Sequence, residues 1–151
     1  MSDLYFAYGS NLLAAQMKMR CPNSTPYRKA ILNDYKLVFP LQAGERWGGG
    51  GAAGIIRESG ALVEGFLYRM TADDFKKLDV WEGVETRKYD RMALDVILDN
   101  GDSIMAQTYI ANADDGGPYI PSAKYISTII KGAQEHGLSG DYIEMLQKYL
   151  G

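Results

Sequence analysis

An α+β fold is predicted for this 151-residue chain on three observations. Strand-like and helix-like segments follow one another in irregular order rather than as repeating βαβ units. The aromatic run Leu4 to Tyr8 breaks at Gly9 and leads directly into a helical pattern. Two later segments carry both a start and a stop signal for a helix, Thr71 to Gly83 and Ser122 to Gly137.

The elements are expected in the following order. Leu4 to Tyr8 is uncharged and suits a strand buried on both faces. Gly9 permits a backbone angle or a close approach that a side chain would block. Ser10 is a suitable N-cap for a helix in which Leu13 and Met17 face the core and which Pro22 stops. Thr25 to Leu32 and Tyr35 to Phe39 read as two strands parted by the turn-forming pair Asn33-Asp34. Gln42 to Gly51, with its four consecutive glycines and Trp47, is expected to be a mobile loop. Ala53 to Arg57 and Leu62 to Met70 read as a second pair, around a hairpin turn at Glu58-Ser59-Gly60.

Thr71 to Trp81 has the clearest helical pattern. Thr71 caps it, Asp73 and Asp74 put negative charge in its first turn, and Gly83 ends it. Lys88 to Leu98 and Ser103 to Ala111 form a hairpin through Asp99-Asn100-Gly101. Ala113 to Tyr119 reads as a Gly/Asp-rich loop. A helix capped by Ser122 then runs to His136, with Ile126, Ile129, Ile130 and Ala133 inward, and a last amphipathic helix covers Asp141 to Leu150. The count is about six or seven strands and four helices in one domain, residues 1–151.

Composition narrows the function classes. The chain is 46% hydrophobic and 23% charged, which suits a globular protein rather than a disordered one. Net charge is −3 with no Lys/Arg run, which argues against a nucleic-acid surface. Cys21 and His136 are the only residues of their types, so neither an internal disulfide nor a Cys/His metal site is expected. No signal peptide or membrane span is read, and the lone cysteine fits a reducing, cytoplasmic compartment.

Two features point to chemistry. The first is the corner Tyr8-Gly9-Ser10-Asn11-Leu12, a strand, turn and helix start whose unpaired N–H groups favour a carboxylate, a phosphate or a developing oxyanion. A plain capped connection would look the same. The second is Glu82. Phe75, Leu78 and Glu82 fall at i, i+3 and i+7, so this carboxylate shares an apolar helix face. It also sits at the helix C-terminus, where the dipole disfavours it. Desolvation and dipole both raise a Glu pKa, and a residue placed against two stability rules is a candidate for function. The alternative is a helix-end Glu that frays into solvent. Asp79, Glu85 and Glu64 are expected to be solvated or ion-paired surface groups.

Tyr8-Gly9-Ser10-Asn11-Leu12 with Met17 and Arg20-Cys21-Pro22 resembles the opening of bacterial members of the gamma-glutamyl cyclotransferase (AIG2-like) family. Leu78-Asp79-Val80-Trp81-Glu82-Gly83-Val84, with Tyr89 after it, is similar to a second segment of the same family. Pro121-Ser122-Ala123-Lys124-Tyr125 and Gly132-Ala133-Gln134-Glu135-His136-Gly137-Leu138 match a third. The resemblance covers essentially the whole chain. It implies a small mixed β-barrel-like sheet flanked by helices, with the active site at one barrel mouth. It also implies release of 5-oxoproline from a gamma-glutamyl amine or gamma-glutamyl amino acid, without a cofactor or a metal. On that basis Glu82 is the catalytic acid/base. Tyr8, Gly9, Ser10, Asn11 and Leu12 hold the gamma-glutamyl group, and Tyr89 and Tyr125 line its pocket. The partner is then a small-molecule gamma-glutamyl substrate, with no nucleic acid or membrane, and the protein is a monomer or homodimer. Arg87-Lys88-Tyr89 stands where family members often carry a glycine before the aromatic residue, and Ser139 where proline often follows Gly-Leu.

Rival expectations keep the pocket. In one, the substrate is a biosynthetic intermediate with a protecting gamma-glutamyl group, or a crosslink remnant, and the Gln42 to Gly51 loop and Arg87-Lys88 shape the leaving-group side. A gamma-glutamyl binding module without turnover, or a stress-related scaffold, are the non-enzymatic alternatives.

Overall fold

The computed structural model describes residues 3–112 and 118–150. Five strands close into a barrel in the order β1-β3-β2-β4-β5. They are β1 (Leu4–Ala7), β2 (Thr25–Gln42), β3 (Gly51–Arg69), β4 (Tyr89–Leu98) and β5 (Ser103–Ala111). Neighbours are antiparallel except at the closing seam, where β1 meets β5 in parallel at Tyr5 opposite Gln107. Four helices pack around it: α1 (Ala14–Arg20), α2 (Ala72–Glu82), α3 (Ala123–Glu135) and α4 (Gly140–Gln147).

The expected strand pairs on either side of the Gln42 to Gly51 loop are two long strands. Thr25 to Leu32 and Tyr35 to Phe39 are one strand, and so are Ala53 to Arg57 and Leu62 to Met70. Both turn signals are real, but they face each other across the β2–β3 ribbon. Asp34 takes a left-handed φ of 64° and Gly60 one of 83°. The Asp34 carboxylate accepts from the Gly60 N–H at 3.0 Å. Asn33 pairs with Leu62 and Tyr35 with Arg57, so residues 58–61 bulge outward and the ribbon bends without reversing. The reversal comes later, at residues 43–50, where a 3₁₀ turn (Glu45–Trp47) leads into three glycines with φ near +80°.

Local signals place the helices closely. Thr71 and Asp74 form a reciprocal capping box on α2, and Gly83 ends it in the left-handed region. Ser122 and Ser139 cap α3 and α4 through the N–H groups of Tyr125 and Tyr142. The last helix ends at Gln147 and tightens to 3₁₀ geometry over Lys148–Leu150. Most of the expected Ala113 to Tyr119 loop lies outside the described residues.

The first helix starts differently from expectation. Ser10–Leu12 forms a 3₁₀ turn, α1 begins at Ala14, and neither has a side-chain cap. Ser10 Oγ instead accepts from Gln16 Nε2 at 2.6 Å. Met17 is in the core while Leu13 is half-buried.

The core fills the barrel and the seam with α3. Phe6, Leu12, Met17, Leu67, Leu78, Ile126 and Ile129 are sealed from solvent. The helix α3 lies directly on the corner after β1. A Cβ on Gly132 would sit 2.6 Å from the Leu12 carbonyl carbon and the Leu13 nitrogen, so only glycine allows this approach. His136 reinforces it. Its ring stacks on Phe66 at 3.7 Å, and Nε2 donates to the Leu12 carbonyl at 2.7 Å.

Candidate active site

One end of the barrel opens into a cavity of about 230 Å³. Its floor is the corner after β1. The C-terminus of α2, the β2–β3 connection, the start of β4 and the first turn of α3 form its walls. Sequence-distant elements thus meet around one small space, and Glu82 and the Gly9–Asn11 turn both line it.

Glu82 is the last residue of α2 and shares the inner helix face with buried Phe75 and Leu78. Its carboxyl receives the Asn11 amide at 3.3 Å. That amide also donates to the Tyr5 hydroxyl at 3.0 Å, while Asn11 Oδ1 accepts from Arg20 at 3.0 Å and Gln16 at 3.2 Å. Asn11 is therefore held on both sides and fixes where the carboxyl sits. Burial pushes the Glu82 pKa up to about 7; attraction by Arg20 opposes the rise and repulsion from Asp79 adds to it. The residue is half-buried by area, its remaining surface opening to the cavity, and the crowding of the carboxyl governs its titration.

The turn meets its expected form in part. Ser10 and Asn11 line the cavity, and their N–H groups find no acceptor among the described residues. Gly9 has an ordinary negative φ; its glycine identity answers to crowding, since a Cβ would lie 3.3 Å from the Ala53 Cβ and 3.6 Å from the Tyr125 hydroxyl. Leu12 does not reach the cavity. It is fully buried, its N–H donates to the Gly9 carbonyl at 3.0 Å, and its carbonyl serves His136 and Tyr68. It supports the turn from beneath.

The tyrosines are anchored to backbone. Tyr8 donates to the Tyr109 carbonyl at 2.6 Å and Tyr89 to the Ala53 carbonyl at 2.5 Å. The Tyr125 hydroxyl accepts from the Ala53 N–H at 2.9 Å. Burial raises all three, with Tyr125 pushed up to about 12, so each stays protonated near neutrality. Among the cavity groups whose pKa is displaced, Glu82 alone lands near pH 7. Ser10 has no histidine to activate it, because His136 sits on the far side of the corner bonded to Leu12.

Several cavity residues were not singled out from sequence. Arg20 is 8% exposed, lines the cavity, and has a buried Nε without a partner among the described residues. Burial lowers its pKa, against the attraction of Glu82. Its place on the same helical face as Gln16 and Met17 was the available signal. Trp81 is half exposed, with the Arg20 guanidinium 4.8 Å from its ring. Trp47, in the expected mobile loop, is buried edge-on to Tyr125 at 5.0 Å. Asp79 is ion-paired, one of the two expected states: it pairs with Arg91 at 3.0 Å and also accepts from Tyr109 at 2.6 Å. Glu64 is half-buried and ties down α4 through Ser139. Arg87 has a left-handed φ of 61°, an angle that glycine adopts at less cost. Among the described residues no group of Cys, His, Asp and Glu is arranged to hold a metal ion, and no helix is long and apolar enough to cross a membrane.

A closed mixed barrel whose mouth gathers a carboxyl and a strand-to-helix corner around one small cavity has the layout of a small-molecule enzyme. Comparison with known proteins agrees and narrows the class. The model of the AIG2-like family matches residues 62–146. Gamma-glutamylcyclotransferase of Mus musculus is 37% identical over 147 residues, covering 95% of this chain and 77% of the relative. The Homo sapiens protein of the same name is 35% identical over 149 residues, covering 97% and 78%. A solved structure named gamma-glutamyl cyclotransferase superposes with a TM-score of 0.91 at 33% identity, covering 97% of this chain and 87% of that one. The chain belongs to the AIG2-like, gamma-glutamyl cyclotransferase family.

Proposed function

We propose that this enzyme cyclises a gamma-glutamyl amine or gamma-glutamyl amino acid, releasing 5-oxoproline and the free amine. The observation that carries this is the Glu82 carboxyl, held by Asn11 at 3.3 Å and facing the same cavity as the Gly9–Asn11 turn. The substrate brings its own nucleophile. Its α-amine attacks the side-chain carbonyl, a ring C–N bond forms, and the old amide C–N bond breaks. The protein has to fold the substrate for attack, a proximity gain that can reach several kcal/mol. It also has to take two protons from the attacking ammonium on its way to the lactam N–H and return two to the departing nitrogen, which leaves as an ammonium.

Glu82 does both in turn, as base and then as acid. Against an α-amine pKa of roughly 8, an ordinary Glu near 4.3 would accept the proton about 5 kcal/mol uphill. A Glu82 pKa of about 7 reduces that to about 1.4 kcal/mol. The Ser10 and Asn11 N–H groups hold the substrate carboxylate or the tetrahedral oxyanion, and the protonated hydroxyls of Tyr8, Tyr89 and Tyr125 shape the pocket. All these groups come from one chain, so no second copy is needed to complete the site. Buried, unpaired Cys21 fits work in a reducing, cytoplasmic setting.

The test is E82Q, which keeps size and hydrogen bonding while removing the titrating proton. It should stop 5-oxoproline release with an unchanged circular dichroism spectrum. Retention of more than a few per cent of activity would reject Glu82 as the proton carrier.

A further inference from the structure

The cavity holds more positive charge than the proton transfer uses. Among the described residues Glu82 is the one carboxylate lining it, while Arg20, Arg46 and Lys88 all line it. Arg20 belongs to the inner end, bonded to Asn11. Arg46 and Lys88 stand at the mouth on different walls, one in the 3₁₀ turn of the β2–β3 connection and the other just before β4. Both are exposed, and neither pairs with a carboxylate among the described residues.

Their placement is built. The Arg46 guanidinium lies 5.3 Å from the Trp47 ring and 5.5 Å from the Trp81 ring, which also carries Arg20. Two guanidinium groups thus share one indole, and each adds to the positive field of the other. Lys124 donates to the Arg46 carbonyl at 2.7 Å and fixes that backbone. The Lys88 stem crosses Gly83, the residue after Glu82: a Cβ there would be 3.3 Å from Lys88 Cδ. Lys88 is therefore carried past the proton-transferring carboxyl toward the opening. A chain of net charge −3 gathers unpaired cations at this one mouth.

We propose that the mouth is an anion subsite in which Arg46 and Lys88 hold carboxylates of the departing amino acid, so that acidic leaving groups are favoured. This rests on the cyclotransferase assignment. The gamma-glutamyl part occupies the inner end, which places the departing nitrogen near Glu82 and whatever it carries between the two mouth cations. A departing amine with no carboxylate leaves both cations unpaired. One with a single carboxylate engages one or bridges both, and one with a second, side-chain carboxylate satisfies each.

The test is 5-oxoproline release by the purified chain from gamma-glutamylglutamate, gamma-glutamylalanine and gamma-glutamylmethylamide, with kcat/KM measured at low and high salt. Each carboxylate should raise kcat/KM by about three- to tenfold at low salt, and the spread should shrink at high salt. K88M and R46M should each narrow the spread, and K88E should place the methylamide above the glutamate. Equal kcat/KM for all three substrates, or a spread untouched by salt, would overturn the subsite while leaving the cyclotransferase assignment standing. The substrate series in the native protein decides this even where a variant fails to fold. No 5-oxoproline from any of the three would overturn both.

Discussion

Replacing Glu82 by Gln should make the protein more stable above pH 7, and the gain has a definite sign. In the unfolded chain this carboxyl titrates near 4.5, and in the folded protein near 7. Between those values the folded state holds a proton that the unfolded state has lost. Stability therefore falls as pH rises from about 4.5 to 7, the reverse of an ordinary ion-paired carboxylate. The gap corresponds to about 3 kcal/mol at full ionisation, and access of water through the mouth reduces this to about 2 kcal/mol. The attraction of Arg20 and the repulsion of Asp79 are already contained in the shift. For a chain of this size, ~2 kcal/mol moves Tm by about 4–8 °C. Calorimetry of native protein and E82Q at pH 5 and pH 8.5 reads it directly. At pH 5 the two should melt within a degree or two of each other, and at pH 8.5 E82Q should melt higher by about the stated amount. A constant offset at both pH values would show that Glu82 ionises as freely folded as unfolded, and the argument for a tuned proton carrier would fail with it.

The same group sets the activity profile. kcat/KM should climb with unit slope to a limb near pH 7, where Glu82 ionises. R20Q should move that limb to higher pH by removing the attraction, and D79N to lower pH by removing the repulsion; limbs that stay put under both changes would refute the electrostatic account. G132A should force α3 away from Leu12 and Leu13, because the added methyl meets backbone at 2.6 Å. It should cost about 1–3 kcal/mol in urea unfolding and lower kcat/KM as the corner shifts. An undisturbed urea midpoint would mean that the helix is not pressed on the corner as described.

What the sequence made legible was whatever a few adjacent residues decide. Thr71 with Asp74, Ser122, and Asp99-Asn100-Gly101 each satisfy or redirect backbone groups within four residues, and their elements lie where expected. Asn33-Asp34 and Glu58-Ser59-Gly60 carry equally good turn chemistry, yet the ribbon only bends there. The same left-handed angles serve a bulge as well as a reversal, and only the partner strand distinguishes the two. Ser10 was misread as a cap because its hydroxyl finds Gln16. The seam of β1 with β5 was invisible, since no local pattern records a parallel contact a hundred residues away. The inner-face position of Glu82 was open to helical spacing. Arg20, Arg46, Trp47 and Lys88 reach the cavity from three separate segments, and apart from the helical spacing of Arg20 with Gln16 and Met17 no local pattern aims them at it.

The grip of α3 on the corner after β1 has a consequence for timing. Gly132 and His136 secure Leu12 from the last quarter of the chain. On the ribosome the turn after β1 is made more than a hundred residues before its brace. A nascent chain released short of α3 would carry every barrel strand and Glu82 itself, with no clamp on the turn that faces it. Support for the turn that faces Glu82 is thereby tied to synthesis reaching α3.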